Sequence, residues 1–270
     1  MHVVINAEID ALPQNANLIS NGGNFYAHVL ACVGYPIDAL PVGALLAKQF
    51  ELSGEWLVAS PVYWEATHND ALMKASGADL HFSEKESEAW FIAFTEFVRV
   101  DGFETYFVDK HTWLLRCDEK PPIVSIPIHH ALHQSMMPLL QSLDNTMYWQ
   151  RFMTESQMFL SSHALNEQRN DFPINGIWLW GEGELHEQGK KPILAQTESL
   201  VRLAQILSKH SKRYEPSYRP TKDSLLLFDD LKDESLFQLQ QQLKNKSVQW
   251  FWNNAVYQTR SKRWFARWRS

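Results

Sequence analysis

The residues best suited to chemistry lie between Trp149 and Leu185. Asn166 and Arg169 fall in a polar turn after an apolar-striped helix, and Asn175 precedes the run Ile177-Trp-Leu-Trp, which opens into Gly181 and Gly183. Polar side chains at the mouth of a buried strand, beside glycines that admit close approach to the backbone, are what a small-anion or small-metabolite site needs. Arg169 could grip a carboxylate or phosphate through its planar fork. The same residues also have a structural use. Asn166 and Asn175 can satisfy turn backbone, and Arg169 can pair on the surface with Glu155 or Glu167. Gly181-Glu-Gly-Glu-Leu-His is not a dinucleotide fingerprint, because the third glycine is absent and two acids crowd the place of the phosphate.

Other groupings are weaker. His129, His130 and His133 bring three imidazoles together, with His129 and His133 on one face if the segment is helical. Pro127 before them, no Cys or carboxylate at ligand spacing after them, and Met136 and Met137 beside them favour packing, so no metal ligand is assigned. His68 with Asp70, and Asp109 with His111, place an acid near an imidazole, as polar turns routinely do. No Gly-x-Ser-x-Gly elbow supports a Ser-His-Asp triad, and no catalytic residue is assigned. Glu182 and Glu184 are expected in solvent. The tail Arg260–Arg269 interleaves bases with Trp264, Phe265 and Trp268. Such a mixture can hold single-stranded nucleic acid or an anionic membrane surface. Docking of a terminal helix through Trp264 and Trp268 is the preferred expectation.

The elements that must position these groups alternate between strands and helices. Asn6 to Asn24 reads mostly as loop, and Pro41 to Phe50 as a short helix with proline near its first turn. Strands are expected at Trp56-Leu-Val-Ala and Ala71-Leu-Met-Lys-Ala. Ser83 with Glu86 forms a capping box for a helix to Arg99, its stripe carried by Trp90, Phe94 and Phe97. Tyr106-Phe-Val and Thr112 to Arg116 form a hairpin, and Pro121, Pro122 and Pro127 mark an irregular crossing. Asn145 caps a helix to about Ala164. Beyond the Ile177 strand come a helix from Glu198 to His210, a surface connection from Ser211 to Asp223, a strand to Phe228, a helix from Glu234 to Lys244, and strands at Val248–Trp252 and Ala255–Thr259. The expected fold class is α/β, a layered sheet with flanking helices. The expected organisation is one domain over 1–270, with 211–223 the place for any subdivision.

Composition narrows the class. The chain has 270 residues, enough for a sizeable core, and 25 Lys+Arg against 31 Asp+Glu give a net charge of −6. That balance argues against a surface built for nucleic acid. Hydrophobic residues at 45% and charged residues at 21% argue against bulk disorder. Cys32 and Cys117 both sit in apolar surroundings and read as buried thiols in a reducing compartment. The start Met1-His-Val-Val-Ile-Asn lacks signal-peptide features, and no long apolar run could span a membrane, so a cytoplasmic location is expected.

Glu155-Ser-Gln-Met-Phe-Leu through His163-Ala-Leu-Asn-Glu-Gln-Arg and Pro173-Ile-Asn-Gly-Ile-Trp-Leu-Trp-Gly resembles a bacterial family of phosphoglycerate-mutase-like regulatory proteins, of the pathogenicity-factor (rpf) type. Weaker similarity reaches Ser60-Pro-Val-Tyr-Trp and Arg263-Trp-Phe-Ala-Arg-Trp. The resemblance implies a reduced alkaline-phosphatase-like domain, with Asn166, Arg169 and Asn175 matched to an Asn-x-x-Arg…Asn motif of the archaeal mutases. Relatives of that superfamily use two metal ions and a Ser or Thr nucleophile, with Asp and His ligands. Here that ligand set is not recognisable, and Asp101-Gly102 stands alone. The expectation is a mutase relative without cofactor that binds a small phosphorylated molecule or a protein partner. The alternative is an active cofactor-independent phosphoglycerate mutase using Mn or Mg.

Overall fold

The structure is a computed structural model that describes residues 1–20, 22–68 and 70–259. The tail Arg260–Arg269 lies outside the described residues, and with it the expected terminal helix. In chain order the elements are β1 (His2–Ile5), β2 (Ala16–Ser20), α1 (Phe25–Val33), α2 (Val42–Gln49), β3 (Trp56–Ala66), β4 (Ala71–Ser76), α3 (Glu84–Arg99), β5 (Thr105–Asp109), β6 (Thr112–Arg116), α4 (Ile128–Ala131), α5 (Met136–Gln141) and α6 (Tyr148–Ser161). They continue with β7 (Gly176–Trp180), β8 (Ile193–Ala195), α7 (Glu198–Leu207), β9 (Ser211–Arg213), β10 (Leu225–Phe228), α8 (Asp233–Leu243), β11 (Val248–Phe251) and β12 (Val256–Thr259). The chain is α/β, with sheets flanked by helices. By its internal packing it divides into two compact units, 1–37 with 186–270 and 38–185.

The first unit is built on a sheet of order β2-β12-β11-β1-β10-β8-β9. The strands from β11 to β9 run parallel, while β12 is antiparallel to both β11 and β2. Parallel strands need crossover helices on their faces, so strands such as Leu225-Leu-Leu-Phe carry apolar residues at successive positions. Val3, Ile5, Leu226, Phe228, Leu239, Leu243, Trp250 and Tyr257 share one core here. Asn6 to Asn24 is not all loop, because Ala16–Ser20 pairs with β12. Its partner lies more than two hundred residues along the chain, so no local pattern announces it. Likewise Ser211–Arg213, expected as surface connection, adds to the edge beside β8.

The second unit holds the sheet β4-β3-β6-β5, with β7 also paired to β3. Trp90, Trp113, Trp149, Trp178 and Trp180 are fully buried in this unit. Helix α2 packs very close to β3: a Cβ on Gly43 would lie 1.9 Å from the Trp56 carbonyl oxygen, and the Gly43 N–H donates to the Gly181 carbonyl at 2.9 Å. The proline crossing is tied down by Trp149 Nε1 donating to Pro121 O and Trp178 Nε1 donating to Ile126 O. Asp144, not Asn145, secures the start of α6. Its carboxylate accepts from the backbone N–H groups of Thr146, Tyr148 and Trp149.

Candidate functional site

The Asn166–Asn175 motif closes on itself. Asn166 Nδ2 donates to the carbonyls of Leu160 and Ile174, each at 2.9 Å, and its Oδ1 accepts the Ile174 N–H at 2.8 Å. Asn175 pairs with the Trp64 backbone in both directions, accepting its N–H at 2.7 Å and donating to its carbonyl at 2.8 Å. It therefore acts as one more rung of sheet beside β3. Arg169 pairs with Glu86, and not with Glu155 or Glu167. It also donates to Phe172 O at 2.7 Å and Leu80 O at 2.6 Å, its guanidinium lies over the Phe82 ring, and its side chain is only 4% exposed. Glu86 is also half of the expected capping box. Its N–H does bond the Ser83 hydroxyl, but its carboxylate serves Arg169.

These contacts take up the polar groups of the motif. The fork of Arg169 is turned inward, and Asn166, Arg169 and Asn175 staple the turn between α6 and β7 onto β3 and the start of α3. Gly181 and Gly183 take positive φ, 84° and 109°, and Gly181 meets α2 backbone, so both serve chain geometry. Glu182, expected in solvent, is half-buried and accepts the Ser125 N–H at 2.7 Å; burial holds its carboxyl above the usual range.

The histidine cluster does not share a helix face. The helix α4 ends at Ala131, while His133 has φ 62° and gives its N–H to Met73 O. Asp109 accepts the His111 N–H within its turn, and Asp70 is held by Ser135, Ala71 and Met137. The first is turn geometry; the second ties the residue before β4 to Ser135 and Met137 at the start of α5. Among the described residues, no three His, Cys, Asp or Glu side chains converge as a metal site would require.

The parallel sheet of the first unit offers a different set. Strand β8 leads through α7 to its outer neighbour β9, whereas β10 leads through α8 to β11, beyond β1. Connections thus leave two adjacent strands in opposite directions, and the carboxyl ends at such a switch point are where open α/β sheets bind ligands. Gln196 and Thr197 follow β8, Asp229 and Asp230 follow β10, and Asn6 follows β1. Thr197 donates its hydroxyl to Asp229 Oδ2 at 2.6 Å and caps α7 by accepting the Leu200 N–H. Gln196 Oε1 accepts the Asp229 N–H at 3.1 Å. Asn6 gives its N–H to Phe228 O and accepts from Asn253 Nδ2 at 3.2 Å.

Beside this row, Asn24 caps α1, and Gly23 gives its N–H to Asn253 O. His28, on the first turns of α1, packs against the Gly23 backbone so closely that a Cβ there would sit 2.1 Å from its Nε2. Burial pushes its imidazole down to about 4. Its Nε2 and Asn253 Oδ1 are buried without a hydrogen-bond partner among the described residues. In the sequence, a short apolar run that ends in a polar residue (Val-Val-Ile-Asn, Leu-Leu-Phe-Asp) is the available signal for this edge. Which runs are neighbours cannot be read there.

No protein-family model matches the sequence, and no curated protein matches it. Among solved structures, the cofactor-independent phosphoglycerate mutase from Thermoplasma acidophilum DSM 1728 is similar over 95% of this chain and 88% of that one, at 12% identity and a TM-score of 0.36.

Proposed function

We propose that this is a phosphoglycerate-mutase-like protein, a reduced relative of the alkaline-phosphatase-like group, that binds a small neutral or cationic polar molecule and does not transfer a phosphoryl group. The binding place would be the strand-end row of Asn6, Gln196, Thr197, Asp229 and Asp230. One observation carries this reading: the side chains of that row are amides, a hydroxyl and carboxylates. Within 6–8, 22–24, 196–198, 229–230 and 252–254 there are four acids, Glu8, Glu198, Asp229 and Asp230, and no Lys or Arg. A phosphorylated acid brought there would meet uncompensated negative charge. Phosphoryl transfer needs cationic groups on the equatorial oxygens, which two metals supply in a bimetal centre. The residues present do not fit such a centre, because two adjacent carboxylates find no third acidic or imidazole ligand among the described residues. The phosphorylated ligand expected from Arg169 is set aside because that guanidinium is already taken up by Glu86 and by the carbonyls of Phe172 and Leu80. A ligand-binding role without turnover suits a regulatory protein.

Two assays on the full chain test this. Phosphoglycerate mutase activity is measured with Mn²⁺, with Mg²⁺ and with chelator, and thermal melts are recorded with phosphoglycerate, with inorganic phosphate and with small amines and polyols. The expected result is no turnover in any condition, no stabilisation by the phosphorylated acids, and stabilisation by amines or polyols that Asp229→Asn weakens. Turnover abolished by chelator would show that a cation centre exists and the reading is wrong.

A further inference from the structure

The parallel strands of the first unit are entered from one level. Backbone bonds run from the His2 N–H to Ser224 O, the Leu225 N–H to Pro192 O, the Ile193 N–H to His210 O and the Gln249 N–H to Met1 O. The residues before β1, β8, β9, β10 and β11 therefore stand side by side. They are rich in lysine. The entry segments 189–192, 208–210, 220–224 and 244–247 hold Lys190, Lys191, Lys209, Lys222, Lys244 and Lys246, and Asp223 is their single acid.

Two of these lysines are already engaged. Lys191 Nζ bonds the Cys32 carbonyl and lies 3.2 Å from His2 Nδ1, and Lys246 Nζ bonds the Pro220 carbonyl. Lys190, Lys209, Lys222 and Lys244 are exposed, and none has an ion-pair partner among the described residues. Lys209 and Lys244 follow the last turns of α7 and α8, where a cation complements the helix dipole. Lys190 and Lys222 follow no helix, so the dipole does not account for them. In the order β11-β1-β10-β8-β9 the row crosses four strand spacings, about 19 Å.

Size and charge select what fits this row. A span of about 19 Å matches roughly six residues of extended chain. The entry segments contain no Phe, Tyr or Trp on which a base could stack, so single-stranded nucleic acid would gain nothing beyond its phosphates. A long nucleic acid or a membrane would carry its charge past the row, over a chain whose net charge is −6. We propose that this strand-entry face is a docking surface for a short acidic segment of a partner protein. Its ammonium groups act in solvent, so the complex is weak and salt-sensitive. The inference does not depend on the proposed ligand site, which lies at the other ends of the strands.

The test is fluorescence anisotropy of a labelled hexaglutamate peptide titrated with the full chain at low and high salt. A hexaglutamine peptide and a DNA single strand of equal charge are run beside it. Lys190→Glu/Lys222→Glu is compared with Lys85→Glu/Arg202→Glu, which changes net charge equally at exposed positions of α3 and α7. Hexaglutamate should bind and hexaglutamine should not, with Kd raised about tenfold or more by the first pair and by high salt, and by less than about threefold by the second pair. Equal losses in the two pairs would mean that net charge alone governs binding, and overturn the proposal. So would a Kd that the first pair leaves unchanged, tighter binding of the DNA strand, or no binding of hexaglutamate at low salt. Lys209→Gln is the milder second variant, expected to raise Kd about twofold, and it decides the matter should the first pair fail to fold.

Discussion

Replacing Arg169 with Met separates a clamp from a ligand grip. The substitution keeps the apolar stem and removes the guanidinium, leaving the carbonyls of Phe172 and Leu80 and the Glu86 carboxylate without their donor. Breaking one side of a buried pair costs about 3–5 kcal/mol, and Glu86 at 32% exposure regains some water, which places the loss near the lower bound, about 3 kcal/mol. A domain of this size loses roughly 2–4 °C per kcal/mol, so the melting temperature should fall by about 6–12 °C. Denaturant unfolding of Arg169→Met, Glu86→Leu and the double variant then forms a cycle. If the pair is a clamp, the double variant is less destabilised than the two singles added together. A Met variant whose stability stays within about 0.5 kcal/mol of the parent, the range of ordinary surface changes, would refute the argument. It would return Arg169 to the set of ligand groups.

Asn166→Ala should cost about 2–3 kcal/mol in denaturant unfolding, because three backbone groups lose their partner at once. Gly43→Ala should cost about 3 kcal/mol, the upper part of the overpacking range, since its methyl meets Trp56 backbone that cannot swing aside. His28 has its imidazole pushed from 6.5 to about 4, so the unfolded chain takes up the proton first as pH falls. The stability it contributes is complete above pH 6.5 and lost as pH drops towards 4, up to about 3 kcal/mol. His2 and His111 are also lowered to about 4, so His28→Gln should reduce the slope of stability across that window without abolishing it, and a parent-like slope would contradict the reasoning. Burial raises the Cys32 and Cys117 thiols to about 12, so neither should be alkylated at pH 8 in the native chain at the rate seen after unfolding.

Much of the fold is legible because its signals are local. The helix from Ser83 to Arg99 is marked by an N-cap and an aromatic stripe, and the hairpin from Thr105 to Arg116 by two apolar runs around a polar turn. The side chain that secures the start of α6 lies one residue earlier than the sequence suggests. Asp144 and Asn145 are chemically similar, and only the backbone direction decides which can accept three N–H groups. The motif holding Asn166, Arg169 and Asn175 is legible as a unit but not as to use. An Arg reads alike whether its fork faces solvent or a carboxylate eighty-three residues earlier.

Composition and periodicity by themselves determined an α/β chain with most of its helices and the strands from β3 to β7. Those elements are set by interactions within a few turns of chain. The tertiary structure alone decided that the chain divides at 37/38 and 185/186, that β2 joins β12, and that Asn6, Thr197 and Asp229 stand in one row. Pairing between distant strands depends on which edges meet once the core is packed. Nothing in one strand's own residues encodes the identity of its neighbour.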